Sequence, residues 1–412
     1  MKLLFVHQNL GALGGAEANI YLTARELQKR GHETGLLHGA VTGQSEQDWR
    51  CAFPYALALP SRDNGSVVKT ALSDFCPDAI YVHNMADLEV LEELRNSGLP
   101  LVRMVHDHEM YCMRGYKYNY FTRKICTRPA SSYCVFPCLG TIGRNRAGGF
   151  PLKWISYLEK KKEIALNRSF DRLLVYSNYS KEELLRNGFA AEKIELHVPM
   201  RCWGVESPVS SFSDRNLVLY AGQIVRGKGV DLLLKALAQV TEPFEAIILG
   251  DGNYRRHCER LCTRLGLDDR VQFKGFVQRE EIKKYYVECS AFVVSSLWPE
   301  PFGLTGPEAM RYGLPVVAFD AGGIREWLID GENGFLVPWK DTERFGQRVE
   351  QLLRDKTLAR SMGRRGLEFV NEHYQTGPQI ERLENLFQDL IQTKARNGTT
   401  TARRDLEFQY CE

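Results

Sequence analysis

Short apolar runs alternate with amphipathic segments along most of the chain. In the first half the runs are Leu3–His7, Thr34–His38, Ala79–His83, Leu101–His106, Arg172–Tyr176 and Ile194–His197. Most are unbroken by charge, as expected of strands buried on both faces of a parallel sheet. Helical periodicity separates several of them, as at Ala16–Arg30 and Leu152–Asn167. The rhythm stops over 199–215, where Pro199, Pro208 and Ser207, Ser210, Ser211 and Ser213 predict a linker. It resumes with Leu217–Ala221, Ala246–Leu249, Val271–Lys274, Ala291–Ser295, Pro315–Phe319 and Gly334–Val337. Helical patterns lie between them at Val230–Val240, Tyr254–Leu265, Glu280–Cys289 and Pro307–Tyr312. The pattern predicts an α/β protein of two Rossmann-like parallel-sheet domains, 1–198 and 216–374, facing across a cleft. One further amphipathic helix is expected over 375–395, then a polar, disordered tail over 396–412. In such sheets ligands bind beyond the carboxyl ends of the strands, so the loops after the strands are where chemistry is expected.

Three loops of the second domain suit an anion. Tyr220-Ala221-Gly222-Gln223-Ile224-Val225-Arg226-Gly227-Lys228-Gly229 joins a strand to a helix and carries two cations among glycines. The glycines allow close backbone approach and the helix start offers N–H groups. Trp298-Pro299-Glu300-Pro301-Phe302-Gly303-Leu304-Thr305-Gly306-Pro307-Glu308 holds two carboxylates eight residues apart. Glu308, on a first helical turn, can reach the vicinal hydroxyls of a ribose. N–H groups near Thr305 and Gly306 can hold a diphosphate, and Glu300 would face a sugar. Gly322-Gly323-Ile324-Arg325-Glu326 is a third such turn. Taken singly, each loop also reads as an ordinary strand-to-helix turn, and Glu308 as a helix-dipole carboxylate.

Together these residues resemble a retaining glycosyltransferase of the GT-B fold, family 4. Glu300 and Glu308 match that family's E-x7-E motif, Arg226-Gly-Lys228-Gly its cationic loop, and Gly322–Glu326 its G-G-x-x-E turn. Gly14-Gly15-Ala16-Glu17 resembles the N-terminal G-G-A-E turn that approaches the donor phosphates, and Val105-His106-Asp107 the family's histidine after a first-domain strand. The resemblance implies transfer of a sugar from a nucleotide-diphosphate sugar to a glycan or lipid-linked glycan, with retention and without a catalytic metal or other required cofactor. It implies catalytic roles for His106, Lys228 and Glu300, with His106 on the sugar or the reacting centre. It implies donor contacts from Gly15, Arg226, Lys228, Phe302, Gly303, Leu304, Thr305 and Glu308. The closing helix fits one that returns to the first domain. Gln223 stands where the family usually has arginine, and Arg226 is placed to compensate.

The composition narrows the alternatives. Of 412 residues, 44% are hydrophobic and the net charge is +3, which argues against a nucleic-acid partner. No apolar run approaches a membrane span, and Met1–His7 reads as a strand rather than an export signal, so a cytoplasmic protein is expected. Residues 101–170, however, hold 13 Lys and Arg against 4 Asp and Glu. Lys153, Lys160, Lys161 and Lys162 run beside Trp154, Ile155, Tyr157 and Leu158, which allows either a packed surface helix or peripheral contact with the inner face of a membrane. Four of 11 cysteines, Cys112, Cys126, Cys134 and Cys138, fall in an irregular insert of about 107–150, expected on the acceptor side of the cleft. They could bind one structural Zn²⁺, remain buried free thiols, or pair as disulfides in an oxidising setting. Two other functions stay open. A non-catalytic nucleotide-sugar-binding protein would share the fold. A dinucleotide-dependent oxidoreductase is disfavoured, because Gly11-Ala-Leu-Gly14-Gly15 lacks the G-x-G-x-x-G spacing.

Overall fold

The computed structural model describes residues 1–11, 14–60, 62–144, 152–199, 208–212 and 215–409. Most of the expected linker 199–215 lies outside them. The first half forms strands β1 (Lys2–Leu10), β2 (Glu33–Val41), β3 (Tyr55–Ala58), β4 (Ala79–Val82) and β5 (Leu101–Val105). Two small pairs follow, β6 (Tyr118–Asn119) with β7 (Lys124–Ile125) and β8 (Ile142–Arg144) with β9 (Leu152–Trp154), and then β10 (Arg172–Val175) and β11 (Ile194–Leu196). The second half contributes β12 (Leu217–Ala221), β13 (Glu245–Leu249), β14 (Val271–Gly275), β15 (Ala291–Val294), β16 (Val316–Phe319) and β17 (Gly334–Val337).

Two parallel sheets result. The first runs β11-β10-β5-β4-β1-β2-β3 and the second β14-β13-β12-β15-β16-β17. Both reverse their strand order beside their first strand, between β1 and β4 and between β12 and β15. A crevice opens at such a reversal because the flanking loops run to opposite sides. Strands β4, β5, β12, β15 and β16 are buried throughout; all but β5 are apolar without interruption, and the Arg103 guanidinium of β5 donates to Asn167 at 2.6 Å and to the Met85 carbonyl at 2.9 Å. Helices cover them through apolar stripes. Thr342–Arg354 buries Phe345, Val349, Leu352 and Leu353, and its N-cap Asp341 accepts a hydrogen bond from the Arg344 N–H at 2.9 Å. Each large apolar side chain so buried contributes about 1.5–3 kcal/mol.

The closing helix, Thr376–Gln409, lies against the first domain. Its Phe387 meets Tyr81 of β4 at 5.4 Å, Glu384 pairs with Arg30 at 2.7 Å, and Lys394 pairs with Asp171 at 2.8 Å. One buried apolar cluster therefore continues from Phe5 and Tyr81 through Phe387 to Phe292 and Trp327 of the second half.

Three expectations change. Leu152–Asn167 is not one helix: Leu152–Trp154 pairs antiparallel with Ile142–Arg144, and the helix is Tyr157–Arg168. The Ser156 hydroxyl accepts from the Glu159 N–H at 3.2 Å and fixes that start. The four-residue β3 has no counterpart among the expected strands, since Pro54 and Pro60 bracket a run too short to show a period. The helix also continues to Gln409, through the stretch expected to be disordered. Ala402, Arg403, Arg404, Leu406 and Glu407 are good helix formers and no proline interrupts them.

Candidate active site

Lys228 lies in the loop after β12 and Glu300 in the loop after β15, so the reversal of the second sheet brings them together. The Lys228 Nζ is 2.6 Å from Glu300 Oε1. The Trp298 indole N–H donates to the same oxygen at 2.8 Å, and the Ser296 hydroxyl donates to it as well. Burial alone would push the Glu300 carboxyl up. The Lys228 ammonium and the donated hydrogen bonds outweigh it and hold the group below its usual range. Glu300 is only 7% exposed, and the ammonium sits 4.8 Å from the Trp298 ring. The expected sugar-facing Glu300 is thus a buried carboxylate that fixes Lys228. Gly229 makes the approach of the two loops possible: with φ of +67°, a Cβ there would lie 2.1 Å from the Ser295 carbonyl oxygen.

The remaining donor residues divide. Glu308 stands half-buried in the first turn of the short helix Thr305–Met310. Gly303 and Leu304 precede it and Thr305 opens it, but the Gly306 N–H already donates to the Gly303 carbonyl at 3.1 Å and is not open to a phosphate in this state. Phe302 is a core residue, 2% exposed, and its carbonyl accepts from the Trp327 indole at 2.6 Å. The paired glycines of the third loop abut protein. The Gly323 N–H donates to the Glu300 carbonyl at 2.7 Å, and a Cβ on Gly323 would meet Ser177 at 2.8 Å. Gly15 faces the second domain directly, since a Cβ there would be 3.0 Å from Leu304 Cδ1. The N-terminal turn and the donor loop therefore close on each other.

His106 differs from its expected role. Its Nε2 is 2.8 Å from His83 Nδ1 and its Nδ1 is 2.6 Å from the Tyr176 hydroxyl, so both nitrogens are engaged within the fold. Burial, with His7 nearby, pushes it down to about 3, so the ring is neutral at ordinary pH. His7 in turn is 3.4 Å from Glu17. The family-like histidine thus belongs to a buried chain locking β1, β4, β5 and β10 together. Beside it, Asp107 is pushed up to about 6 by burial and by Glu109.

Side chains with no motif to announce them bind the two halves at this point. His108 Nε2 is 2.9 Å from the Pro299 carbonyl. The Ser177 hydroxyl donates to the Pro301 carbonyl at 2.6 Å, and the Asn178 N–H donates to Glu326 at 2.7 Å. Only the conspicuous spacing of Gly322–Glu326 hinted at the last of these.

The insert also departs from its expected place. It reaches the donor side: Tyr118 packs in the core of the second domain, and Arg123 pairs with Asp231 through two bonds of 2.6 and 2.9 Å. Cys112, Cys126, Cys134 and Cys138 all line one cavity of about 310 Å³ within it. Among the described residues no group of three or more His, Cys, Asp or Glu side chains has metal-site geometry, and the four thiols are unpaired.

Comparison with known proteins agrees with this layout. Residues 13–197 match the model described as Glycosyltransferase Family 4, and residues 206–369 the one described as Glycosyl transferases group 1. An uncharacterized glycosyltransferase of Methanocaldococcus jannaschii is 34% identical over 144 residues, 34% of this chain and 37% of that one. The lipopolysaccharide core biosynthesis glycosyltransferase LpsE of Rhizobium meliloti is 33% identical over 156 residues (38% and 45%), and the alpha-D-kanosaminyltransferase of Streptomyces kanamyceticus 31% over 180 (43% and 46%). The chain thus spans less than half the length of these relatives. Among solved structures, Anabaena HepE in complex with UDP superposes with a TM-score of 0.73 at 21% identity, covering 94% of this chain and all of that one. Sucrose-phosphate synthase of Thermosynechococcus elongatus gives 0.71 at 19% identity, covering 95% of this chain and 99% of the other. With matching family models on both halves and this architecture, the chain belongs to the GT-B glycosyltransferases of the family 4 type.

Proposed function

We propose that the protein transfers a glycosyl group from a nucleoside diphosphate sugar to a glycan or lipid-linked glycan, with retention of anomeric configuration. The observation that carries this reading is the fixed ammonium of Lys228 at the reversal of the second sheet, held 2.6 Å from Glu300 Oε1. HepE, of the same fold, has been solved with UDP and with UDP-glucose. As the anomeric bond breaks, charge builds on the leaving diphosphate. Lys228 and Arg226 stabilise it, and a cation already oriented by Glu300 needs little reorganisation to do so. Glu308 takes the ribose hydroxyls and the backbone of Gly303–Thr305 borders the phosphates. Attack from the same face, with a donor phosphate oxygen as base, accounts for retention without a protein nucleophile or a catalytic metal. A thermal-shift screen against UDP-, GDP- and ADP-sugars tests the reading. One donor is expected to raise the melting temperature, and NMR of the product is expected to show the donor's anomeric configuration. No stabilising donor, or an inverted product, would refute it.

Two subsidiary readings accompany it. The four cysteines, which line one cavity without reaching metal-site geometry among the described residues, are proposed to draw together on one structural Zn²⁺ in an insert with little core of its own. About one equivalent of zinc is expected by elemental analysis of purified protein, and less than a tenth would reject the site. Peripheral membrane contact is proposed for the surface carrying Trp154 and Leu158, which are 74% and 70% exposed beside exposed Lys153, Lys161 and Lys162. No helix of the described residues is long and apolar enough to cross a membrane. Pelleting with anionic liposomes is expected at low salt and lost at high salt; no pelleting at low salt would contradict it.

A further inference from the structure

The donor cations are held from the other domain. The loop carrying Arg226 and Lys228 is a single tight turn, Arg226–Lys228, and the insert touches it or the residues beside it at three places. The Tyr116 ring lies flat on Trp298, with centroids 4.8 Å apart and planes within 8°. The same indole bonds Glu300 and lies 4.8 Å from the Lys228 ammonium. The Arg226 guanidinium sits over the Tyr120 ring at 4.8 Å, and its Nε is buried with no hydrogen-bond partner among the described residues. Arg123 grips Asp231, three residues beyond Lys228, in the first turn of the helix Val230–Leu237. The Lys340 ammonium bonds the Arg123 carbonyl, and the neighbouring Trp339 indole N–H donates to the Leu297 carbonyl at 3.1 Å.

We infer that the insert is a clamp that sets the geometry of the phosphate-binding cations, with Tyr116, Tyr120 and Arg123 as positioning residues that touch no substrate. The inference rests on the transferase reading for its kinetic consequences, but its structural claim stands apart from it. Arg226 has a ring face on one side, so its approach is fixed by the insert rather than by hydrogen bonds at Nε. Trp298 is the hinge of the arrangement. Its ring is stacked by Tyr116 while its N–H orders the Glu300 carboxylate that orients Lys228. Withdrawing Tyr116 frees an indole on which both charges depend. Arg123 and Asp231 are 19% and 5% exposed, so the pair is poorly screened by solvent, and loss of one partner leaves a buried charge unpaired. Positional error of this kind lowers turnover more than it weakens substrate binding, because the diphosphate develops its full charge only in the transition state.

The test uses the full chain with Tyr116→Ala, Tyr116→Phe, Arg123→Ala, Asp231→Arg and the exchanged pair Arg123→Asp/Asp231→Arg. Tyr116→Ala and Arg123→Ala are expected to lower kcat about 10- to 100-fold, with the acceptor KM within about twofold of the parent. Tyr116→Phe, which keeps the ring, restores turnover relative to Tyr116→Ala. The exchanged pair recovers activity over Asp231→Arg alone, a pattern that a loss of packing would not give. Hydrogen exchange provides a readout that needs no substrate. In Tyr116→Ala and Arg123→Ala, residues 223–231 and 297–301 are expected to lose protection while β1 keeps it. Unchanged exchange in both segments would overturn the clamp whatever the activity. If the parent shows no transfer, the functional reading fails and exchange alone decides the clamp. Should Arg123→Ala fail to fold, Tyr116→Ala decides it, since that ring is 40% exposed and outside the core.

Discussion

Lys228→Ala is expected to lower turnover by at least about a thousandfold while the protein still folds. The size follows from the chemistry: a preorganised donor aimed at developing charge supplies about 3–4 kcal/mol in comparable sites, and Lys228 carries a full charge. Folding should survive because the side chain lies at a loop in the cleft and is 22% exposed. The Glu300 carboxylate would lose its counter-charge but keep the hydrogen bonds from Ser296 and Trp298. With the ammonium gone, burial dominates at Glu300 and its affinity for a proton rises. Steady-state kinetics with circular dichroism separates the outcomes. Native ellipticity with turnover near that of the parent would remove Lys228 from the mechanism.

A second large effect is expected with acid. Burial holds His83 and His108 below the ordinary histidine range, His106 at about 3 and His197 at about 4. A histidine with a depressed value in the fold contributes stability that is complete above its unfolded pKa, near 6.5. That stability is lost as the pH falls, because only the unfolded chain takes up the proton. Asp107, pushed up to about 6, and the raised Glu163 work in the opposite sense, since the fold binds their protons first. His106 and His197 together take up about two protons on unfolding as the pH falls below 6, and Asp107 offsets about one of them, while the depressed His38, His83 and His108 act in the same sense as the first two and Glu163 in the opposite sense. Each proton is worth about 1.4 kcal/mol per pH unit, so stability is expected to fall as the pH drops from 6 to 5. Urea denaturation from pH 7.5 to 5 measures it, and His106→Gln is expected to reduce the slope by about one proton. A flat profile would show that these histidines are not held neutral.

Much of this was legible in the sequence, for identifiable reasons. Buried parallel strands rarely carry charge, so β4, β12, β15 and β16 stand out as apolar runs, as do β1 beyond Lys2 and β5 on either side of Arg103. Glycines beside Arg226 and Lys228, and Glu300 with Glu308 eight residues on, mark loops that meet at a strand reversal, and the fold places both there. What the sequence hid was partnership. Nothing in the spacing says that Glu300 turns inward to Lys228, because the decisive hydrogen bonds come from Ser296 and Trp298 of its own loop. His106 looked poised for chemistry because it follows a strand. Its engagement depends on His83 and Tyr176, 23 and 70 residues distant. The insert has no hydrophobic period at all, so its crossing to the second domain through Tyr116, Tyr118 and Arg123 could be seen only in three dimensions.

The central claim is that the loops at the carboxyl ends of β12 and β15 seat a pyrophosphate. A crystal structure of the full chain with the nucleoside diphosphate that most raises its melting temperature tests this directly. Both phosphates are expected within hydrogen-bonding distance of the Lys228 ammonium or the Arg226 guanidinium, with the ribose hydroxyls on Glu308. A diphosphate bound elsewhere, with Lys228 still closed on Glu300 and no contact to Arg226, would contradict the account.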